Sequence, residues 1–292
     1  VAHHARDSPR KESLLLSYRH AFHAGNHADV LKHVVLVLTL EYYQRKDKPF
    51  WYIDTHAGSG LYRLSSAESQ KTREFAQGIQ ALWNAKDVPE TLQPYLDQIR
   101  QLNPTPTLQN YPGSPWLAAQ RLRPYDQLRL FELHPSDVKH LGNNLAHDKR
   151  VYINQHDGLK GLLSLLPPIT RRAVTLIDPS YELKSDYADV ITTLAKAHQR
   201  FATGTYLLWY PVIERQRVKQ MVKALQQTGI PDILQIEFCP SADSNGLGMT
   251  GSGLFVINPP WVLASQMQIA LPWLKQTLAA ADGHSTVAHL QG

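Results

Sequence analysis

The run Val174-Thr175-Leu176-Ile177-Asp178-Pro179-Ser180-Tyr181 ends an apolar stretch in a carboxylate, a proline, a small residue and an aromatic ring. Those residue types suit a flat substrate that carries an amine. An amine attached to a base ring is a poor nucleophile because its lone pair is delocalised into the ring. Acceptors aimed at its two N–H bonds favour the pyramidal nitrogen on which positive charge develops. Asp178 can supply one acceptor and the Pro179 carbonyl another. Tyr181 offers a face on which an extruded base can stack, worth about 1–3 kcal/mol.

A second cluster follows another apolar run. Phe50-Trp51-Tyr52-Ile53 leads into Asp54-Thr55-His56-Ala57-Gly58-Ser59-Gly60, where two glycines let the chain turn sharply and approach a ligand closely. His56 stands where a dinucleotide fingerprint has its first glycine, so an ordinary strand-to-helix turn is the rival reading. Glu132 closes Leu128-Arg129-Leu130-Phe131, where a carboxylate can accept from two ribose hydroxyls. Asp157-Gly158 follows the next apolar run; Asp157 can accept from an adenine amine, cap the helix starting at Leu159, or do both. Gly113-Ser114-Pro115-Trp116 predicts a helix start with Ser114 as N-cap, whose amides can hold a carboxylate.

The elements that must position these residues are legible as seven strands, at 50–54, 128–132, 151–154, 173–178, 205–210, 233–238 and 253–257. Helical segments at 27–46, 115–122, 159–166, 185–200 and 214–228 alternate with most of them, which predicts a parallel sheet covered on both faces. The loop from Ser241 to Ser252 is too short for a crossover helix, so the last two strands form an antiparallel hairpin. Parallel strands with such a terminal hairpin indicate an α/β, Rossmann-like class I S-adenosylmethionine-dependent methyltransferase fold. Residues 61–127 are too many for one crossover, and 65–110 read as an inserted helical subdomain, either an elaborated surface or an RNA platform or lid. Asn258-Pro259-Pro260-Trp261 matches an acid-or-amide, proline, proline, aromatic pattern better than the Asp178 turn does. It ends an antiparallel strand, though, and so belongs at the wrong sheet edge.

The 292 residues are 43% hydrophobic and 19% charged, enough for a sizeable core, and no apolar run is long enough to span a bilayer. Val1 to Ser13 lack the apolar region of a secretory signal, and the lone Cys239 cannot form an internal disulfide. Both fit a cytoplasmic protein, with Cys239 a small buried hydrophobe. A net charge of +5 tilts the partner toward nucleic acid. His23 and His27 share an i, i+4 spacing that zinc could use, but further ligands are wanting, and no metal is expected.

The block Leu16-Ser17-Tyr18-Arg19-His20-Ala21-Phe22-His23-Ala24-Gly25-Asn26-His27-Ala28-Asp29-Val30-Leu31-Lys32-His33 closely resembles the opening of the RlmJ family, bacterial 23S rRNA adenine-N6 methyltransferases. The likeness continues through Asp54-Thr55-His56-Ala57-Gly58, Tyr111-Pro112-Gly113-Ser114-Pro115, Glu132-Leu133-His134-Pro135-Ser136, Asp178-Pro179 and Leu208-Trp209-Tyr210-Pro211. It implies a methyltransferase domain over 15–292 and a disordered extension over 1–14. It also implies an S-adenosylmethionine site lined by His33, His56, Ser114, Glu132, Asp157, Gly158 and Asp178, with Asp178 catalytic and Tyr18 meeting 23S rRNA. No obligatory protein partner and no membrane are implied. Ser180 stands where the family has a second proline. Two rival readings remain: methylation of a DNA adenine or another amine, and a silent RNA-binding homologue.

Overall fold

The computed structural model describes residues 19–244 and 248–290. The expected extension at 1–14 and Tyr18 lie outside the described residues.

A sheet of eight strands forms the middle layer. In chain order its strands are β1 (Trp51–Asp54), β4 (Gln127–Phe131), β5 (Val151–Asn154), β6 (Ala173–Ile177), β7 (Thr205–Val212), β8 (Ile233–Cys239), β9 (Gly251–Ile257) and β10 (His284–Leu290). Across the sheet they run β10-β8-β9-β7-β6-β1-β4-β5. Pairs among β7, β6, β1, β4 and β5 are parallel, whereas β9 is antiparallel to both β7 and β8. A small antiparallel ribbon joins β2 (Leu61–Arg63) to β3 (Asn110–Pro112).

All seven expected strands are present, but the sheet is not seven-stranded. His284–Leu290 adds an eighth, antiparallel to β8. Its sequence, His-Ser-Thr-Val-Ala-His-Leu, has no apolar face, and its residues are at best half-buried. A strand that buries little leaves no period-2 signal to read.

Strand alternation sorts the core into two layers. Tyr52, Leu128, Val174 and Leu176 point to one face, under α1 (His27–Gln44), α4 (Gln93–Leu102), α5 (Ser114–Arg121) and α10 (Leu263–Leu278). Trp51, Ile53, Ala173 and Ile177 point to the other, under α7 (Gly158–Leu165), α8 (Asp186–Arg200) and α9 (Arg215–Gln227). The first-face helix α1 is apolar nearly all round, with 14 of its 18 residues buried, which is the pattern of a helix enclosed on all sides. Its start is fixed by Asn26, whose side chain accepts from the Asp29 N–H.

Between β2 and β3 lie α2 (Ala67–Thr72), α3 (Ile79–Trp83) and α4, helical as their period indicates. Phe75, Ile79, Leu82, Leu92, Tyr95, Leu96 and Ile99 join the same apolar cluster as α1. These helices therefore share the main core. The remaining helix, α6 (Pro135–Leu145), follows β4.

Strand order reverses around β1. The chain leaves β1 for β4 and β5, then returns to place β6 on the other side of β1. In open α/β sheets that switch point opens a crevice beyond the carboxyl ends of the strands. Asp54, Glu132, Asp157 and Asp178 all follow or end strands at this edge. Asn258 ends β9 beside the beginning of β7, donating to the Ala202 and Gly204 carbonyls at the opposite edge.

Candidate active site

A cavity of about 610 Å³ occupies the crevice, within the size range of sites for drug-sized ligands. His33, His56, Ser114, Glu132, Asp157, Gly158, Asp178 and Pro179 all line it.

The turn after β1 is held by backbone geometry. Gly58 and Gly60 have φ of 61° and 75°, which side chains disfavour, and a Cβ on Gly58 would meet the Tyr62 hydroxyl at 2.3 Å. The Gly58 N–H donates to Glu132 Oε2 (2.8 Å) and the His134 N–H to Oε1 (2.7 Å), which fixes the Glu132 carboxylate at the β4 end. Burial raises the Glu132 pKa, and these backbone bonds oppose it. Asp157 Oδ1 accepts from the Leu159 and Lys160 N–H groups, so it is the N-cap of α7 as well as a wall of the cavity. Gly158 packs so closely on Thr55 that a Cβ would fall 1.9 Å from its carbonyl oxygen.

Ser114 is not the N-cap expected of it. The helix begins one residue earlier in register, with Gly113 as N-cap, and Ser114 Oγ donates instead to Asp54 Oδ2 at 2.7 Å. Tyr52 donates to the same oxygen at 2.7 Å. Burial pushes Asp54 up to about 6 against these bonds.

His33 and His56 are neutral for the same reason. Burial pushes His33 down to about 3 and His56 down to about 4. His33 Nδ1 lies 2.7 Å from the Tyr111 hydroxyl, and His56 Nδ1 2.8 Å from Thr55 Oγ1. Burial also holds His27 near 4. His23 pairs with Glu74 at 2.9 Å, and it precedes the helix that begins at His27, so the two histidines do not share a helical turn.

At the β6 end Asp178 Oδ2 accepts from Lys32 Nζ at 2.6 Å. Lys32 also reaches Asp29 Oδ1 at 2.8 Å, and Asp29 Oδ2 lies 2.9 Å from His20 Nε2 and accepts from the Gly25 N–H. Burial raises Asp178 above the usual carboxylate range while Lys32 pulls it back. Burial would lower Lys32, but its two carboxylates raise it above an ordinary lysine. Asp29, although burial disfavours its charge, is held well below the usual range by His20 and Lys32. The second turn of α1 thus delivers an ammonium that opposes protonation of Asp178, and among the described residues no donor engages Asp178 Oδ1 or the Pro179 carbonyl. The sequence alone assigns no specific role to Lys32, Asp29 or His20. Their only sequence signal is the i, i+3 spacing of Asp29 and Lys32.

Tyr181 is not the stacking face expected of it. It is 7% exposed, with φ of 56°, and its hydroxyl donates to the Trp209 carbonyl at 2.6 Å. Its ring packs on Tyr187 and Trp209, and it does not line the cavity. The positive φ turns the side chain back under β7. Trp209, on β7, lines the cavity in its place, with Lys32 Nζ 5.9 Å from its ring centroid.

The chain is also similar to known proteins along most of its length. Residues 47–291 match the family described as RsmJ, ribosomal RNA large subunit methyltransferase D, RlmJ. The chain is 49% identical over 275 residues to ribosomal RNA large subunit methyltransferase J of Escherichia coli (strain K12), covering 94% of this chain and 98% of that protein. It is 51% identical over 265 residues to the protein of the same name from Haemophilus influenzae (strain ATCC 51907 / DSM 11121 / KW20 / Rd), covering 90% and 94%. Among solved structures, LPL1258 from Legionella pneumophila str. Philadelphia 1 superposes with a TM-score of 0.86 at 36% identity, over 92% of this chain and 99% of that one. With strand-end carboxylates at the switch point and these relatives along nearly its whole length, the chain belongs to the RlmJ family of large-subunit ribosomal RNA methyltransferases.

Proposed function

We propose that the chain methylates the exocyclic N6 amine of an adenine in 23S rRNA, with the base extruded into the cavity. The observation that carries the reading is Asp178, at the carboxyl end of β6, held by Lys32 with one oxygen and the Pro179 carbonyl left for the amine.

The cofactor is S-adenosylmethionine, which supplies an activated methyl group on a sulfonium. The residues present fit it. Glu132 suits the ribose hydroxyls, Asp157 and Gly158 the adenine edge, and Ser114 at the start of α5, with His33 and His56, the amino-acid tail. Asp178 and the Pro179 carbonyl orient the amine N–H groups, so the nitrogen lone pair points along the line of transfer. Burial favours the protonated form of Asp178, and the Lys32 ammonium opposes it. Trp209 is the aromatic wall available to the base.

The test is methyl transfer to unmodified 23S rRNA followed by mass mapping of the methylated nucleotide. N6-methyladenine at one position is expected. A product on another atom, or transfer to duplex DNA and not rRNA, rejects the reading. Cofactor binding without transfer would mark a silent RNA-binding homologue.

A further inference from the structure

The cavity has the wrong charge for a polyanion. Eight carboxylates line it, against one lysine and no arginine among the described lining residues, and that lysine is already paired twice. A base can enter such a space, but its phosphates cannot follow without facing carboxylates. The ribose-phosphate chain must be held outside, by cations near the mouth. The cavity lining does not supply the protein's net charge of +5.

The insertion brings such cations to the mouth. Ser69 Oγ donates to the Ala21 carbonyl at 3.0 Å, and Thr72 Oγ1 to the Phe22 carbonyl, so α2 lies directly on the 3-10 turn His20–Phe22. Lys71 Nζ sits 5.8 Å from the Phe22 ring centroid, two residues along from His20 of the cavity wall. Arg73 follows, held at φ of 51° immediately before Glu74, which also lines the cavity. Both Lys71 and Arg73 are exposed, and no salt bridge engages either among the described residues. The loop after β6 adds Lys184, also exposed, between Leu183 and the Asp186 of the cavity wall. By contrast Arg123 is paired with Asp126, Arg150 with Asp148, and Arg215 with Glu237 and Asp243.

We infer that the insertion is an RNA-backbone platform, on which Lys71 and Arg73, with Lys184 from the neighbouring loop, hold the phosphates flanking the extruded base. This rests on the rRNA reading above, and it assigns the insertion a purpose beyond packing.

The test is binding of in vitro transcribed, unmodified 23S rRNA over a series of KCl concentrations. The variants are Lys71→Ala/Arg73→Ala, Lys71→Glu/Arg73→Glu and Lys184→Ala. The control, Lys46→Ala/Lys48→Ala, removes the same charge from exposed positions before β1, at the far sheet edge. For the Lys71/Arg73 alanine pair, affinity should fall on the order of tenfold, and the slope of log K against log salt should shrink by about 1.4. Lys184→Ala should shrink it by about half as much, and the glutamate pair should bind more weakly still. S-adenosylmethionine affinity and kcat at saturating RNA should stay as in the wild type. If the Lys71/Arg73 pair and the control pair behave alike while wild type methylates 23S rRNA, the platform is wrong and the function stands. If wild type neither binds nor methylates that RNA, both fall.

Discussion

Replacing Asp178 by asparagine tests the chemistry with the least change in shape. The side chain keeps its size but holds one acceptor oxygen and one NH₂ donor. Asp178 Oδ2 is taken by Lys32 at 2.6 Å, and the residue lines the cavity. An asparagine whose oxygen stays on Lys32 turns its NH₂ toward the substrate amine, donor against donor. Flipped, it points NH₂ at the ammonium and frees its oxygen for the amine, at the expense of a buried charge contact. Either way one of the two interactions turns repulsive. Loss of one preorganised polar group at a reacting centre costs about 2.7–4 kcal/mol, or roughly 10²–10³ in rate. Single-turnover transfer of a radiolabelled methyl group to 23S rRNA measures the rate, and calorimetry measures S-adenosylmethionine affinity. The rate should fall by about that factor, and for Asp178→Ala by at least as much, with cofactor affinity within about tenfold. A rate within a few-fold of wild type would refute the role of Asp178. A loss fully explained by cofactor affinity would move it from orienting the amine to binding the cofactor.

Lys32→Met should leave Asp29 and Asp178 buried without their shared cation, costing about 3–5 kcal/mol of stability in denaturant melts at neutral pH. Asp178 would then protonate more readily, so the acidic limb of the rate profile should move to higher pH; an unmoved limb separates Lys32 from the ionisation of Asp178. Stability should also fall on acidification. His33 is held neutral in the fold, its pKa lowered to about 3, so the unfolded chain binds the extra proton below pH 6.5. Its stabilisation is full above that pH and is eroded as pH falls, by about 2 kcal/mol at pH 5. His27 and His56 act in the same direction, so a melting temperature that does not drop between pH 7 and 5 contradicts this assignment. Ser180→Pro should leave turnover within about tenfold, because Asp178, the Pro179 carbonyl and the Tyr181 hydroxyl bond to Trp209 do not use the Ser180 side chain. An inactive proline variant would show that the serine N–H or its backbone freedom is required.

The sheet was readable in the sequence wherever burial imposes alternation or an apolar run. The carboxylates of the site are readable because Asp54, Glu132 and Asp178 sit directly after the apolar residues of a run and Asp157 three residues past one. Chain order then fixed which edge was relevant, and that is why Asn258 could be set aside in favour of Asp178. What stayed hidden depends on contacts between distant positions. Lys32 and Asp178 are 146 residues apart, and nothing local in either segment announces the pair. The place of Tyr181 is not legible because a pattern of residue types says nothing of φ, and its positive φ directs the ring into the core. The bond of Ser114 is not legible because capping preference is local, whereas its hydroxyl is claimed by a carboxylate on β1. The His284–Leu290 strand was missed because edge pairing with β8 rests on backbone bonds that carry no side-chain code.

One helix joins the two halves of the molecule's task. The opening turns of α1 carry His27, Asp29, Lys32 and His33, while Val34 to Leu40 sit wholly inside the first apolar layer. Whatever loosens that layer should therefore reach the ammonium under Asp178 before it reaches the sheet. Mild heating or a cavity made at Val37 should dull methyl transfer while most strands still hold. For this chain, loss of activity is the early warning of unfolding.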